Sequence, residues 1–177
     1  MKKTFALILA VLFVAVSFSG CGTGPNLGFT YQELGAKLES QFQADQAKLS
    51  VGEWERSNYT KENCYLHFSD DMYITAVTTN RWSDSVIRLS ASLKYVTEIG
   101  KMPKATEDYV NLVRTIYKVL EPNRTMEQEE EFERILINTS YYPVKDRFTR
   151  LTQNGYEYAF NLSSETKSFY FLVLLAE

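Results

Sequence analysis

The 177-residue sequence contains one histidine and two cysteines, and these low counts exclude several kinds of site. A structural zinc site takes four Cys or His ligands, and a small disulfide scaffold needs several Cys pairs. Runs of basic residues are also missing, and 19 Lys and Arg against 22 Asp and Glu give a formal net charge of −3. We therefore expect no metal centre, no disulfide framework and no nucleic-acid partner.

The common sequence motifs that indicate an enzyme active site or a cofactor site are absent as well. The chain has no Gly-rich phosphate loop, no Gly-x-Ser-x-Gly elbow and no His-Glu-x-x-His pattern. We therefore expect no cofactor, and no sequence motif predicts a catalytic residue. The composition, 45% hydrophobic and 23% charged, is that of an ordinary globular protein and predicts a single folded domain.

The first 20 residues have the pattern of a secretion signal. Lys2 and Lys3 precede an apolar stretch from Phe5 to Val16, and the small residues Ser19 and Gly20 follow it. That stretch of about 12 residues would form a helix of roughly 18 Å, which is shorter than the roughly 30 Å core of a bilayer. It predicts a signal peptide, residues 1–20, that is cleaved rather than a permanent span.

Cys21 follows these small residues directly, and the segment resembles the lipobox of bacterial lipoproteins, with Phe18 where that pattern most often has Leu. The resemblance covers residues 1–21 only. It implies that Cys21 is the lipidation site, that it receives diacylglycerol, that the signal is cleaved before it, and that the new amine is acylated. Several acyl chains make a stable membrane anchor.

The alternative is ordinary secretion, with cleavage near Gly20 and a free thiol at Cys21. Residues 21–29 contain the polar Gly/Pro segment that follows Cys21, which is typical of a flexible tether and favours lipidation. Removal of Lys2 and Lys3 would take the formal net charge from −3 to −5. We expect an exported domain held at the outer face of the cytoplasmic membrane or at the outer membrane.

Residues 30–177 are predicted to form an α+β domain. Thr30 and Glu33 have the spacing of a capping box and predict a helix that ends near Ala47. A second helix is predicted from Thr106 to about Leu120, after a break at residues 100–103. A third is predicted to start with the Thr125 to Gln128 capping box and to stop at Asn138.

Strands are predicted where apolar residues alternate with polar ones. The predicted strands are Cys64–Phe68, Met72–Thr78, Val86–Thr97, Tyr142–Leu151, Tyr156–Leu162 and Phe169–Leu175, with a hairpin turn at Asn154-Gly155. The order is helix, strands, two helices, strands, which favours helices packed on one face of an antiparallel sheet. The halves 30–99 and 104–177 share the order helix then strands, a possible pseudo-duplication without a residue-level repeat.

Two groups of side chains could be reactive, the Cys64 and His67 pair and the glutamates between positions 127 and 133, but each has a structural explanation. Cys64 and His67 differ by an odd number of positions, so on one strand their side chains point to opposite faces and cannot form a nucleophile–base pair. Cys64 shares its parity with Leu66 and Phe68, which predicts a buried thiol. The glutamates at 127, 129, 130, 131 and 133 could share a cation, but acidic residues in a first helical turn also complement the helix dipole.

The tyrosines are the least ordinary feature. Tyr141, Tyr142, Tyr156, Tyr158 and Tyr170 fall in the region of the last three predicted strands, and Phe169–Leu175 is apolar at both parities. That strand is either central with chain packed on both faces, or its second face meets a partner, a twin subunit or a ligand groove. The residues predicted to bind a partner are Tyr141, Tyr142, Tyr170 and Trp82.

These observations predict a non-catalytic, membrane-anchored lipoprotein of the bacterial envelope that acts as a binding, inhibitor or assembly module. Its expected partners are the membrane, through the N-terminal lipid, and another envelope protein or a second copy of the chain. The alternatives are a carrier for a small molecule or lipid with an apolar cavity, and a hydrolase whose carboxylates meet only on folding.

Overall fold

The structure is a computed structural model, and it describes residues 25–94, 102–141, 148–163, 165–166 and 168–177. Its helices are α1 (Tyr31–Ala44), α2 (Met102–Leu120) and α3 (Met126–Tyr141). Its strands are β1 (Trp54–Arg56), β2 (Asn63–His67), β3 (Met72–Thr78), β4 (Val86–Lys94), β5 (Thr149–Gln153), β6 (Tyr156–Ser163) and β7 (Ser168–Leu175). The predicted α+β class and the predicted order of elements are confirmed.

Both predicted capping boxes are present. The Glu33 backbone N–H donates to Thr30 Oγ1 at 3.2 Å, and the Thr30 N–H donates to the Glu33 carboxylate at 2.8 Å. Thr125 and Gln128 repeat this exchange at the start of α3, with distances of 2.9 and 3.2 Å. Each box satisfies backbone donors that the first helical turn leaves without partners, which fixes where the two helices begin.

Several predicted boundaries are wrong. α1 ends at Ala44 rather than near Ala47. α2 begins at Met102, four residues before Thr106, because Pro103 lies in the first turn, where a missing N–H costs no hydrogen bond. α3 continues past Asn138 to Tyr141, and Thr139 donates its hydroxyl to the Ile135 carbonyl at 2.8 Å within the helix. Of the predicted strand 142–151, residues 142–147 lie outside the described residues, and β5 occupies Thr149–Gln153.

The seven strands form one antiparallel sheet in the order β1-β2-β3-β4-β7-β6-β5. Each half of the chain supplies consecutive hairpins, and the last strands of the two halves, β4 and β7, pair at the centre. The hairpin turn at Asn154-Gly155 is confirmed, with φ of 48° and 87°. Positive φ at both residues is what a type I′ turn requires. The symmetric strand order is the arrangement that a pseudo-duplication would produce.

All three helices pack on the same face of the sheet. Phe42 of α1 contacts Phe68 after β2, Tyr109 of α2 contacts Phe169, and Phe132 of α3 contacts Phe160 and Phe171. The centre of this layer is aromatic: Tyr117 stacks on Phe132 with ring centroids 3.7 Å apart, and both rings are buried. Burying these large rings supplies much of the hydrophobic stabilisation of the domain.

The N-terminal segment joins the domain before α1. Leu27 and Phe29 are buried, the Leu27 N–H donates to the Val86 carbonyl at 2.7 Å, and Tyr156 donates its hydroxyl to the Leu27 carbonyl at 3.0 Å. The predicted tether, 21–29, is therefore too long at its C-terminal end, because the packed domain begins at Leu27. Among the described residues, no helix combines the length and the apolar character that a bilayer span needs.

Candidate functional site

The second face of the sheet carries the candidate site. Side chains opposite the core along the strands form this surface, here called the open face, because no described helix packs on it. Its central members are Tyr65, His67, Tyr73, Thr75, Ser90, Ser92, Asn161, Tyr170 and Leu172. β7 is a central strand, as the first interpretation of its apolar pattern predicted. That interpretation also placed chain on both faces of β7, but the described helices all lie on the face opposite the open face.

One cross-strand row runs through the middle of the open face. His67 pairs with Tyr73, Tyr73 with Ser92, Ser92 with Tyr170, and Tyr170 with Asn161. Neighbouring strands lie about 4.8 Å apart, so the row extends about 19 Å across five strands. It places rings at both sides of a small central residue, Ser92, which is itself buried between them.

The β2–β3 part of the open face is an aromatic cluster. The Tyr73 ring lies 5.6 Å from His67 and 6.2 Å from Tyr65, measured between centroids. Burial raises the pKa of the Tyr73 phenol, although a hydrogen bond with Ser92 acts in the opposite direction. Such rings offer a large contact area while their polar tips remain able to hydrogen-bond, which is why tyrosine is enriched at protein interfaces.

The β6–β7 part of the open face has a polar group without a partner. Asn161 Oδ1 is buried, and no hydrogen bond reaches it within the described parts of the chain. Its strand neighbour Tyr170 is half-buried and donates its hydroxyl to Thr166 Oγ1 at 3.1 Å. An unpaired buried acceptor destabilises a protein by about 1–3 kcal/mol.

Charges are placed toward the margins of the open face. Arg150 and Glu157 pair across β5 and β6 at 2.9 Å, and Lys94 Nζ lies 3.4 Å from the Asp70 carbonyl at one end of β4. Exposed pairs of this kind contribute little to stability. An aromatic and neutral polar centre within a charged margin is the usual composition of a protein-binding surface.

Three of the four residues predicted to bind a partner are described, and these three do not lie on one surface. Tyr170 lies on the open face, Trp82 lies in the β3–β4 turn, and Tyr141 ends α3 in the helix layer rather than lying on a strand. Tyr142 lies outside the described residues. The residues that join Tyr170 on the open face are Tyr65, His67, Tyr73 and Asn161, which the sequence analysis did not select.

The two predictions about reactive groups on β2 are confirmed. Cys64 is buried on the helix side of the sheet, where burial raises the pKa of its thiol. His67 is exposed on the open face. The sheet therefore separates the two side chains, and Cys64 has neither the base nor the solvent access that a thiol nucleophile requires.

The glutamates at the start of α3 are used in ion pairs. Glu133 holds the Arg114 guanidinium of α2 through two hydrogen bonds, and Glu129 accepts from Arg124 Nε at 3.1 Å. Within the described ranges, no cluster of three His, Cys, Asp or Glu side chains has a geometry that could hold a metal ion. These contacts assign the acidic residues to joining α3 to α2 and to the segment before it.

Glu121 is the one buried carboxylate among the described residues, and neutral donors surround it. Tyr158 Oη donates to one carboxylate oxygen at 2.8 Å and Asn154 Nδ2 donates to the other at 2.7 Å. Burial and the adjacent Glu121 charge raise the pKa of Tyr117 to about 12. This network joins the end of α2 to the β5–β6 hairpin, and it contains no second carboxylate bonded to Glu121 that could complete an acid–base pair.

Two cavities are relevant to the predicted carrier alternative. A cleft of about 890 Å³ lies between residues 45–49 and α2, and its wall includes Asp45, Glu107, Arg114 and Lys118. An apolar hollow of about 200 Å³ lies between the N-terminal segment and the end of α2. The wall of the larger cleft mixes charged side chains with apolar surface that includes Ala47, Leu49 and Pro103. The smaller hollow is below the usual size of a ligand pocket, 300–1,000 Å³.

Comparison with known proteins gives no match for this chain. No protein-family model matches it, and no curated protein and no solved structure matches it either.

Proposed function

We propose that this protein is an exported lipoprotein of the bacterial envelope that binds another envelope protein through the open face of its sheet, without catalysis. The observation that carries the proposal is a cross-strand row of aromatic and polar side chains on a sheet face that no described helix covers. The sequence support for export is the signal-like segment followed by Cys21.

The composition of the open face favours a protein partner over a charged polymer. Tyr65, Tyr73 and Tyr170 supply contact area at its centre, and Asn161 adds a neutral amide beside Tyr170. A polyanion would require a basic surface instead. A second copy of the chain is a partner of the same chemistry.

The carrier and hydrolase alternatives have weaker support. The wall of the larger cleft includes charged residues that do not suit a lipid chain, and the core positions on the helix side are filled by side chains. A hydrolase would need converging carboxylates, but the oxygens of Glu121 accept from Tyr158 and Asn154. Neither cavity therefore favours a second function.

Photo-crosslinking in living cells tests the binding face. A photoreactive amino acid at position 170 of the full-length protein should give a covalent adduct of discrete mass after irradiation. The matched control carries the same amino acid at position 130, an exposed site on α3. Adducts at position 170 but not at 130 support the proposal, and an adduct of twice the chain mass identifies self-association.

The result that would contradict the binding face is an absence of adducts at both 170 and 73, or equal labelling at 130. A companion measurement addresses the location. Growth with labelled palmitate should label the parent and the Tyr170→Ala protein but not the Cys21→Ser protein, which lacks the sulfur that carries the diacylglycerol. Equal labelling of Cys21→Ser and the parent, or no label in either protein, would contradict the lipid anchor.

A further inference from the structure

One end of the sheet receives the N-terminal segment, and the same end carries most of the exposed apolar side chains. This end, here called the entry end, consists of the β1–β2 turn (57–62), the β3–β4 turn (79–85), the β5–β6 turn (154–155) and the end of β7. Leu27 and Tyr31 donate their backbone N–H groups to Val86 and Asp84 beside the β3–β4 turn. The chain therefore enters the fold at this end.

The distance from Cys21 to the entry end is short. Five residues lie between Cys21 and Leu27, so six residue steps join them. A fully extended chain spans at most about 3.3–3.6 Å per residue, so the two lie within about 20–22 Å of each other. If Cys21 carries acyl chains in a bilayer, the entry end must lie within that distance of the membrane surface. The inference that follows therefore rests on the proposed lipid anchor.

Four of the six large hydrophobic side chains that are exposed among the described residues lie at the entry end. Tyr59 is 98% exposed in the β1–β2 turn, Trp82 is 81% exposed in the β3–β4 turn, Met126 is 79% exposed at the start of α3, and Leu175 is 36% exposed at the end of β7. The position of Met126 follows from Gln128, whose side chain contacts Asn154 in the β5–β6 turn. The other two, Tyr141 and Phe148, lie at or beside the opposite end.

The chemistry of this set fits the interfacial region of a bilayer. Tryptophan and tyrosine are enriched at the headgroup level because each ring has an apolar body and a polar tip. The Arg81 guanidinium lies over the Trp82 ring, 4.5 Å from its centroid, where it can reach a lipid phosphate when the ring is inserted. Glu62 and Asp84 lie at the same end, so net charge does not drive the contact.

We propose that the entry end is a second membrane contact, in which Trp82 and Tyr59 insert at the headgroup level beside the lipid anchor. A few exposed side chains give weak binding by themselves, but an anchor within about 20–22 Å keeps them at a high effective concentration next to the bilayer. The contact would hold the strands upright on the membrane, so that the open face stays clear of the lipid and accessible to a partner.

Tryptophan fluorescence tests this contact directly, because the chain has only two tryptophans. Trp82→Phe leaves Trp54, whose indole nitrogen is buried, and Trp54→Phe leaves Trp82 alone. The mature chain from Cys21 would be measured on vesicles of phosphatidylcholine, and of phosphatidylethanolamine with phosphatidylglycerol, each containing brominated lipid. The experiment has two arms. The first uses the native acylated protein, and the second uses protein coupled to a maleimide lipid through Cys21. Cys64 is buried and does not compete for the maleimide.

On vesicles, Trp82 should shift its emission to shorter wavelength and lose roughly twofold more intensity to brominated lipid than Trp54 does. In the Trp54→Phe, Trp82→Phe protein, a Tyr59→Trp reporter should be quenched, and a Tyr141→Trp reporter at the far end should not. Trp82 emission that stays at its aqueous wavelength in the coupled arm would overturn the contact. A cysteine that proves unacylated in cells, together with quenching in the coupled arm, would overturn the proposed anchor and leave the membrane affinity of the entry end established.

Discussion

Gly35→Ala is expected to destabilise the protein, although alanine is the better helix former. Gly35 lies in the middle of α1, and a Cβ atom there would lie 2.7 Å from Trp54 Nε1, closer than real Cβ atoms approach other heavy atoms. The propensity gain of Ala over Gly is about 0.8–1.0 kcal/mol, whereas overpacking a filled site costs about 1–3 kcal/mol. The expected net loss is about 1 kcal/mol, or about 2–4 °C in Tm.

A double-mutant cycle with Trp54→Phe separates the two effects. Phenylalanine removes the indole nitrogen, so Gly35→Ala in that background should be neutral or stabilising by up to about 1 kcal/mol. The assay is urea unfolding followed by far-ultraviolet circular dichroism for the parent, both single variants and the double variant. A stabilising Gly35→Ala in the parent, with no coupling to position 54, would refute the close approach of α1 to β1.

Three further effects follow from single features of the fold. Gly155→Ala should lower the free energy of unfolding by about 1 kcal/mol in urea melts, because φ at this position of the β5–β6 turn is +87°, a value that strains any residue with a Cβ atom. An unchanged stability would contradict the type I′ geometry. Burial raises the pKa of Tyr117 from 10.0 to about 12, so between these pH values the native state keeps a proton that the unfolded chain loses. The free energy of unfolding should therefore fall as pH rises from 10 to about 12. Tyr117→Phe should make this fall less steep, and an equal slope in the variant and the parent would contradict the raised pKa. Burial would raise the pKa of Asp45, but hydrogen bonds from Lys118 and Gln41 outweigh it and lower the pKa below 3.8. The ionised Asp45 therefore stabilises the protein above pH 3.8, and this stabilisation is lost as pH falls below that value. Lys118→Met should reduce this loss in urea melts measured across acid pH, and identical curves for the variant and the parent would argue against the ion pair.

Local signals in the sequence predicted the parts of the fold that depend on neighbouring residues. Thr30 and Thr125 begin their helices because each capping box is complete within four residues. The period-two pattern assigned Cys64 to the core and His67 to the opposite face, since parity along one strand needs no knowledge of the rest of the fold. Asn154-Gly155 predicted its turn for the same reason.

Long-range pairing could not be predicted in this way. The pairing of β4 with β7 joins residues about eighty positions apart, and only this pairing brings Tyr73 and Tyr170 to the two sides of Ser92. Polar alternation along β3 and β4 marked an exposed face, but it did not indicate which strands adjoin. The selected group that includes Tyr141, Trp82 and Tyr170 failed to form one surface because similarity of side chains says nothing about position.

The position of the N-terminal segment also depends on tertiary contacts. Leu27 and Phe29 follow a Gly/Pro segment that predicts a tether, yet their side chains pack in the hydrophobic core. Hydrogen bonds between their backbone and the residues Val86 and Tyr156 hold the segment in place. This packing shortens the distance between Cys21 and the folded domain. It is therefore the contact that links the sequence-based proposal of a lipid anchor to a defined orientation of the sheet.

The central proposal is that the mature protein begins with an acylated cysteine. Mass spectrometry tests it most directly: the intact mass is measured for protein purified from membranes of its host, and the N-terminal peptide is then fragmented. We predict that the peptide begins at Cys21 and carries the added mass of diacylglycerol, with a further acyl chain where the amine is modified. An N-terminal residue other than Cys21, or a Cys21 of unmodified mass, would contradict the lipid anchor and the membrane orientation that depends on it.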